Sequence, residues 1–242
     1  AQCQLNRSIK KTASMLFYER DLIPYGRQWI DQNDIEAVVD VLRFGWITQG
    51  PKIDQFATEI SNYCSAQYVL AVNSGTSALH GAVASLGLGP GDEIIVPPLT
   101  FIATSYSPLY VGAVPIFADI DPYTFNIDPN SIESKITSRT KAIITVSLYG
   151  LPPDLEKIMK IAKENNLYVI EDNAQCVLGE VNGKLAGTFG DISIFSFQRS
   201  KHLTTGDGSM TITSNKKVAE KVRKICDVGY SRLTAKMIKN EN

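Results

Sequence analysis

The chain has 242 residues, of which 44% are hydrophobic and 20% charged, so it can bury a sizeable core without a disulfide framework. Its 24 basic and 25 acidic side chains leave a net charge of −1, which offers no field to recruit nucleic acid or an anionic membrane. The four cysteines form no C-x-x-C pair and there are only two histidines, so no metal site is expected. The cysteines are interpreted as reduced thiols of a cytoplasmic protein.

The amino-terminal segment differs in character from the rest of the chain. It is polar as far as Ser14 and precedes Met15, so residues 1–22 are interpreted as an extension that is not native before Met15. It lacks the apolar block of a secretory signal, and no stretch of the chain approaches the roughly 20 apolar residues of a membrane span. The sequence therefore predicts a soluble protein that is not exported.

The elements that follow are typical of an α/β protein. Asp31 to Phe44 is predicted to form an amphipathic helix, and Gly45 to Pro51 a loop. From Tyr68 onward, short β-branched runs alternate with helix-length segments, which predicts a three-layer, mostly parallel sheet with helices on both faces. The predicted strands are 68–72, 93–96, 114–118, 142–146, 168–170, 192–196 and 210–213. The clearest helical periodicity is found at 154–165 and 216–227.

Ligands of open α/β sheets bind beyond the carboxyl ends of the strands, and three segments there can carry chemistry. Asn73 to Ala78 is either a phosphate-binding turn at a helix start or an ordinary helix cap. Glu171 and Asp172 end a strand, either as turn residues or with one carboxylate directed into a cleft. Lys201, in the loop of Phe195 to Gly208, is either a solvated charge or a nucleophilic amine. A neighbouring cation such as Arg199 or protonated His202 could promote the second alternative.

Taken together and in order, these segments resemble the DegT/DnrJ/EryC1/StrS sugar-nucleotide aminotransferases, a branch of the fold-type I pyridoxal-phosphate (PLP) enzymes. The resemblance extends from Ile23 to about Tyr230, and the ordered set of blocks is more specific than any one of them. The blocks are 24–28, 45–51, 73–80, 100–104, 148–152, 171–175 and 195–208.

The resemblance implies an aspartate-aminotransferase-like large domain over residues 23–242 and a role for several residues. Lys201 would form the Schiff base with PLP and act as the acid/base, while Asp172 would pair with the pyridinium nitrogen. Gln175 would contact the ring hydroxyl, and Phe101 would stack on the ring. The phosphate would be held by Gly75, Thr76, Ser77 and Ser196.

The resemblance also implies a reaction. Glutamate would donate the amino group to a nucleotide-linked keto-deoxysugar, and the protein would be a homodimer. Leu148 to Pro152 has a Leu-Tyr-Gly-x-Pro form similar to the 4-keto-6-deoxyhexose branch, as in perosamine synthesis. A few relatives catalyse dehydration with histidine in place of the lysine, so Lys201 favours transamination. His202 is interpreted as a polar loop residue and His80 as a packing residue.

The chain departs from the family pattern beyond Tyr230. Family members continue into a small carboxyl-terminal domain and carry a Gly-x-Asn-x-Arg loop that reaches the neighbouring site, and this sequence stops at Asn242 without either. An alternative hypothesis is therefore a truncated, non-catalytic remnant that binds PLP or dimerises with a full-length relative. A nicotinamide-dependent dehydrogenase is disfavoured, because Asn73 to Ala78 contains a single glycine.

Overall fold

The computed structural model describes residues 26–177, 179–227 and 229. The predicted extension at residues 1–22, with Met15, lies outside these residues, as does the segment 230–242. The helices within the described part of the chain are α1 (Gln32–Phe44), α2 (Pro51–Cys64), α3 (Gly75–Ser85), α4 (Ala103–Tyr110), α5 (Pro129–Ser134), α6 (Leu155–Asn165) and α7 (Lys216–Cys226).

The centre of the protein is a seven-stranded sheet. The strands are β1 (Tyr68–Val72), β2 (Glu93–Val96), β3 (Val114–Phe117), β4 (Thr140–Val146), β5 (Tyr168–Asp172), β8 (Ile192–Ser196) and β9 (Ser209–Thr213). They are arranged in the order β1-β9-β8-β5-β4-β2-β3. Strands β2, β3, β4, β5 and β8 run parallel, and β9 pairs antiparallel with both β1 and β8. A separate hairpin pairs β6 (Glu180–Val181) with β7 (Lys184–Leu185). The mostly parallel sheet is thus confirmed.

Helices cover both faces of this sheet, because alternate strand residues point to opposite sides. Ile144 and Ile170 lie in a buried cluster with the apolar residues of α3 and α4. Their neighbours Ile143 and Val169 lie in a second cluster, with α5 and α6. The two clusters confirm the predicted three-layer architecture.

Several element boundaries differ from the sequence predictions. The loop after α1 ends at Gly50, because Pro51 starts α2, a position where the missing amide of proline costs nothing. Strand β5 extends two residues past the predicted Ile170, which brings Asp172 into register with Val146 and Ile194. The β6–β7 hairpin was not predicted, although its Asn182-Gly183 turn, with φ of 51° and 77°, is a strong hairpin signal.

The strand order also locates the crevice in which a ligand would bind. From β2 the chain passes to β3 on one side of β2 and then returns to β4 on its other side. In such sheets the loops after the strands separate at this point, and ligands bind at the carboxyl ends. Within the described part of the chain, no helix is both long enough and apolar enough to cross a membrane.

Candidate active site

A cavity of about 390 Å³ lies at the carboxyl ends of the central strands. This volume is within the range of small-molecule sites, roughly 300–1,000 Å³. Seven of the eight predicted site residues line it: Gly75, Thr76, Phe101, Asp172, Gln175, Ser196 and Lys201. Ser77, which the structure also describes, lies outside the lining, and Ser74 occupies the wall instead. A more open cavity of about 730 Å³ adjoins the first and is lined in part by Arg27, Tyr149 and His202.

The start of α3 is capped by a side chain and leaves two backbone amides without an acceptor among the described residues. The side chain of Ser74 accepts a hydrogen bond from the Ser77 amide at 3.2 Å, which is the capping interaction. The amides of Gly75 and Thr76 have no acceptor among the described residues. A Cβ atom on Gly75 would lie 3.4 Å from Cβ of Ser196, so the backbone here approaches β8 closely. Two free amides at the positive end of a helix are suited to a phosphate group.

Asp172, at the end of β5, is the buried acid of the cavity, with only 5% of its surface exposed. One carboxylate oxygen accepts from the Thr104 hydroxyl at 2.9 Å, and the other from the Ala174 amide at 3.1 Å. Burial raises the pKa of Asp172, and these two hydrogen bonds and the Lys201 ammonium oppose that rise. A cationic group bound beside this carboxylate would therefore favour its ionised form.

Glu171 does not contribute to the cavity. Its carboxylate accepts from the amides of Gly187, Phe189 and Gly190 at 2.7, 2.8 and 2.6 Å. Burial raises the pKa of Glu171 although these amides stabilise its charge. Of the two carboxylates at the end of this strand, Asp172 is the one directed into the cleft, and Glu171 anchors the loop before β8.

Lys201 lies in the connection between the antiparallel strands β8 and β9. Backbone hydrogen bonds from Phe197 to Gly208 and from Arg199 to Gly206 extend the pairing beyond the strands. The Lys201 amide donates to the Gln198 carbonyl at 2.8 Å, which closes a turn at the lysine. Its ammonium group has no hydrogen-bond or ion-pair partner among the residues that the structure describes. Lys201 thus presents an uncommitted amine to the cavity from a constrained loop.

Gln175 is held in a defined orientation by Tyr149. The side-chain oxygen of Gln175 accepts from the Tyr149 amide at 3.0 Å, so its NH₂ group remains as a donor. Tyr149 adopts a φ of 51°, a left-handed conformation that is uncommon outside glycine. The Leu148–Gly150 turn therefore has a local function, which is to aim an amide at Gln175.

Of the two cations that the sequence suggested as neighbours of the lysine, His202 lines the open cavity, and Arg199, also described, lines neither one. His80 packs against Tyr110 in a tilted arrangement with ring centroids 5.1 Å apart, which agrees with the packing role expected for it. Thr104 was missed as a site residue, although it lies four residues after Thr100 in a block that the sequence singled out. The pairing with Asp172 could not be read from that spacing.

These features define a class of protein, an α/β domain whose cavity brings together a lysine, a buried acid, an exposed aromatic residue and two free amides at a helix start. The family model of the DegT/DnrJ/EryC1/StrS aminotransferases matches residues 28–242, and the chain belongs to this family.

Two curated relatives and one solved structure illustrate the similarity. The chain is 40% identical to the spore coat polysaccharide biosynthesis protein SpsC of Bacillus subtilis, covering 87% of this chain and 54% of the relative. It is 43% identical to GDP-perosamine synthase of Caulobacter vibrioides, covering 80% of this chain and 53% of the relative. The solved structure of a GDP-4-keto-6-deoxymannose-3-dehydratase with a trapped PLP-glutamate geminal diamine superposes with a TM-score of 0.80 at 32% identity. The match covers 83% of this chain and 54% of the dehydratase. The chain spans about half the length of the curated relatives it matches.

Proposed function

We propose that this chain provides the PLP site of an aminotransferase that moves an amino group from glutamate to a nucleotide-linked keto-deoxysugar. The observation that carries the proposal is that Lys201 and Asp172 line one cavity with the free amides of Gly75 and Thr76. The large-domain assignment to residues 23–242 and the homodimer belong to the same proposal. Free thiols at Cys64, Cys176 and Cys226 support a cytoplasmic location.

The cavity fits the cofactor in three respects. Its phosphate end is supplied by the amides of Gly75 and Thr76, with Ser196 beside them. Its acidic wall is Asp172. Burial disfavours the ionised form of this carboxylate, so a cationic partner would stabilise it. Its open face carries Phe101, a residue that is 69% exposed and whose ring a flat ligand could cover.

When bound, PLP supplies an aldehyde that reacts with amines and a ring that accepts electron density from the substrate carbon. Lys201 would hold the aldehyde through its side-chain nitrogen and, once released, would move a proton at the carbon that carries the amino group. Asp172 would keep a proton on the ring nitrogen, and the NH₂ group of Gln175 would donate to the ring oxygen. Phe101 would orient the ring and exclude water from one face.

The choice of sugar is the finer part of the proposal. One relative is named as a GDP-perosamine synthase, and the chain has the Leu-Tyr-Gly-x-Pro form at Leu148 to Pro152. Both support a 4-keto-6-deoxyhexose as acceptor. One solved neighbour is named as a dehydratase, so dehydration is the competing reaction. Lys201 favours transamination, because a primary amine can both hold PLP and return to the same site after each half-reaction.

Reduction of the PLP-loaded protein with borohydride, followed by peptide mapping, tests the assignment of Lys201. The wild type should develop a visible absorption band with PLP, and the reduced cofactor should be found on Lys201. Lys201→Ala should lose the band, whereas Lys163→Ala, a change on α6 far along the sequence from the site loop, should keep it. A band that persists in Lys201→Ala, or a label on another lysine, would reject the proposal.

Addition of glutamate to the loaded protein separates an enzyme from a binding remnant. A working half-reaction converts the bound cofactor to its amine form and bleaches the visible band, with release of 2-oxoglutarate. A remnant that only binds PLP keeps the band unchanged. Further addition of a GDP-linked or dTDP-linked 4-keto-6-deoxyhexose should restore the band and yield the aminated sugar, which mass spectrometry distinguishes from a dehydrated product.

A further inference from the structure

Two threonine hydroxyls form a chain that ends on the buried acid of the cavity. The hydroxyl of Thr104 donates to one oxygen of Asp172 at 2.9 Å, and Thr104 has no exposed surface. The hydroxyl of Thr100 lies 3.0 Å from that of Thr104. An ionised carboxylate only accepts hydrogen bonds, so Thr104 must donate to Asp172 and its oxygen is left to accept from Thr100. The chain therefore runs in one direction, from the cavity wall to the acid.

The hydroxyl chain and a backbone amide together fix the plane of the carboxylate. Ala174 donates its amide to the other oxygen of Asp172 at 3.1 Å, so each oxygen has one donor. Thr104 lies in the first turn of α4, and Asp172 ends β5, so the contact joins two elements that are far apart in sequence. A carboxylate held at both oxygens cannot rotate about its last bond without losing a hydrogen bond.

We propose that Thr104 is a positioning residue, whose hydroxyl, supported by Thr100, orients Asp172 toward the ring nitrogen of the cofactor. This inference rests on the proposed function. The threonines are assigned no contact with the reacting atoms, and their effect passes through Asp172. Donation from a second hydroxyl polarises the first, so the Thr100 contact strengthens the bond that Thr104 makes to the carboxylate.

The charged groups around Asp172 determine how loss of the Thr104 hydroxyl should change the pKa of this carboxyl. Lys201 and Asp207 line the same cavity, and the Lys201 ammonium and the Thr104 hydrogen bond both lower the pKa of Asp172 against the effect of burial. The adjacent Glu171 is directed to other partners, the amides of the 187–190 loop. Removal of the Thr104 hydroxyl should therefore raise the pKa of Asp172 further.

Three variants separate the effect of the Thr104 hydroxyl from that of side-chain packing. Thr104→Val replaces it with a methyl group of similar size, and Thr104→Ser restores a hydroxyl. Thr211→Val is the matched control, because Thr211 in β9 is also fully buried and its hydroxyl has no hydrogen-bond partner among the described residues. All three are compared with the wild type for PLP affinity across a series of pH values, because burial raises the pKa of Asp172.

The positioning role predicts two effects in the affinity measurement. Thr104→Val should bind PLP about tenfold more weakly at neutral pH, as expected for loss of a hydrogen bond to a charged group. The midpoint at which affinity falls on the acid side should also move to higher pH. Thr104→Ser should restore both, and Thr211→Val should resemble the wild type. An equal loss at every pH, with the midpoint unmoved, would indicate a packing role and overturn the inference.

A second measurement needs no cofactor. In protein labelled at the aspartate carboxyl carbon, the ¹³C resonance of Asp172 reports its titration, and Asp172→Asn assigns the signal. Thr104→Val should shift the titration midpoint upward, and Thr211→Val should leave it in place. An unmoved midpoint in Thr104→Val refutes the inference even if PLP binds, whereas failure of the wild type to bind PLP refutes the proposed function and the cofactor-facing role with it.

Discussion

Glu171 and Asp172 adjoin in the sequence, but their carboxylates lie on opposite faces of the central sheet. Alternation along β5 places Asp172 on the side of Ile170, facing α4, and Glu171 on the side of Val169. Asp172 accepts from a hydroxyl and an amide beside the cavity, whereas Glu171 accepts from three amides of one loop. One strand end thus provides both a candidate cofactor ligand and the anchor for a neighbouring loop.

Glu171→Gln is expected to destabilise the protein. A glutamine has one acceptor oxygen, so its NH₂ group would face at least one of the amides of Gly187, Phe189 and Gly190 and leave a buried donor unpaired. The free energy of unfolding should fall by about 1–3 kcal/mol. Urea denaturation measures it, with the exposed Glu164→Gln as a control near zero. Equal midpoints for the two variants would contradict the anchoring role.

Asp172→Asn is expected to preserve stability while removing function. Because burial raises the pKa of Asp172, its contribution to stability is present at low pH and is lost as the pH rises through the folded-state pKa. Ionised Asp172 therefore costs stability at neutral pH, and the uncharged asparagine avoids that cost. The cofactor-free variant should equal or exceed the wild type in unfolding free energy at pH 7, with a smaller difference at pH 4.5. In the PLP-loaded variant, the conversion of the cofactor to its amine form by glutamate should slow by about a hundredfold or more, as for loss of an electrostatic catalytic group. A variant that is clearly less stable at pH 7 would count against this account.

Gly187→Ala should be more damaging than Gly183→Ala, although both glycines have a positive φ. A Cβ on Gly187, where φ is 95°, would lie 2.6 Å from the ring of Phe195. A Cβ on Gly183, where φ is 77°, would have no atom within 4 Å. The backbone penalty is common to both, so the difference in unfolding free energy isolates overpacking, expected at about 1–3 kcal/mol. Thermal melting of the two variants side by side is the measurement, and similar melting temperatures would show that the loop can move away from Phe195.

The cysteines of the described region are expected to react slowly with thiol reagents. Burial raises the pKa of Cys64 to about 11, and it also raises those of Cys176 and Cys226. The thiolate is the reactive form, so at pH 8 Cys64 should be ionised in only about one molecule in a thousand. Reaction with a disulfide reagent, in a Cys3→Ser background, should be at least about tenfold slower in the native protein than in urea. A fast native phase would indicate that one of these thiols is accessible.

The sequence predicted the strands well, because buried parallel strands are continuous apolar runs and the helices between them have a clear period. Strand ends that depend on tertiary contacts were harder to predict from the sequence. The last two residues of β5 are carboxylates, which are unfavourable in strands by propensity, and the neighbouring strands and the donors to both side chains hold them in the ladder. The β6–β7 hairpin, in contrast, carried a local signal at Asn182-Gly183 that could have predicted it.

The sequence by itself determined the class of fold and pointed to the lysine, the acid and the phosphate turn, because these follow from periodicity and from an ordered set of short blocks. Only the tertiary structure decided which carboxylate faces the cavity, that Ser74 caps the Ser77 amide while those of Gly75 and Thr76 stay free, and that Thr104 meets Asp172. Each of these depends on the contact of segments far apart in sequence, or on the direction in which one side chain points. Such contacts arise from the order and pleat of the strands, which a one-dimensional pattern does not contain.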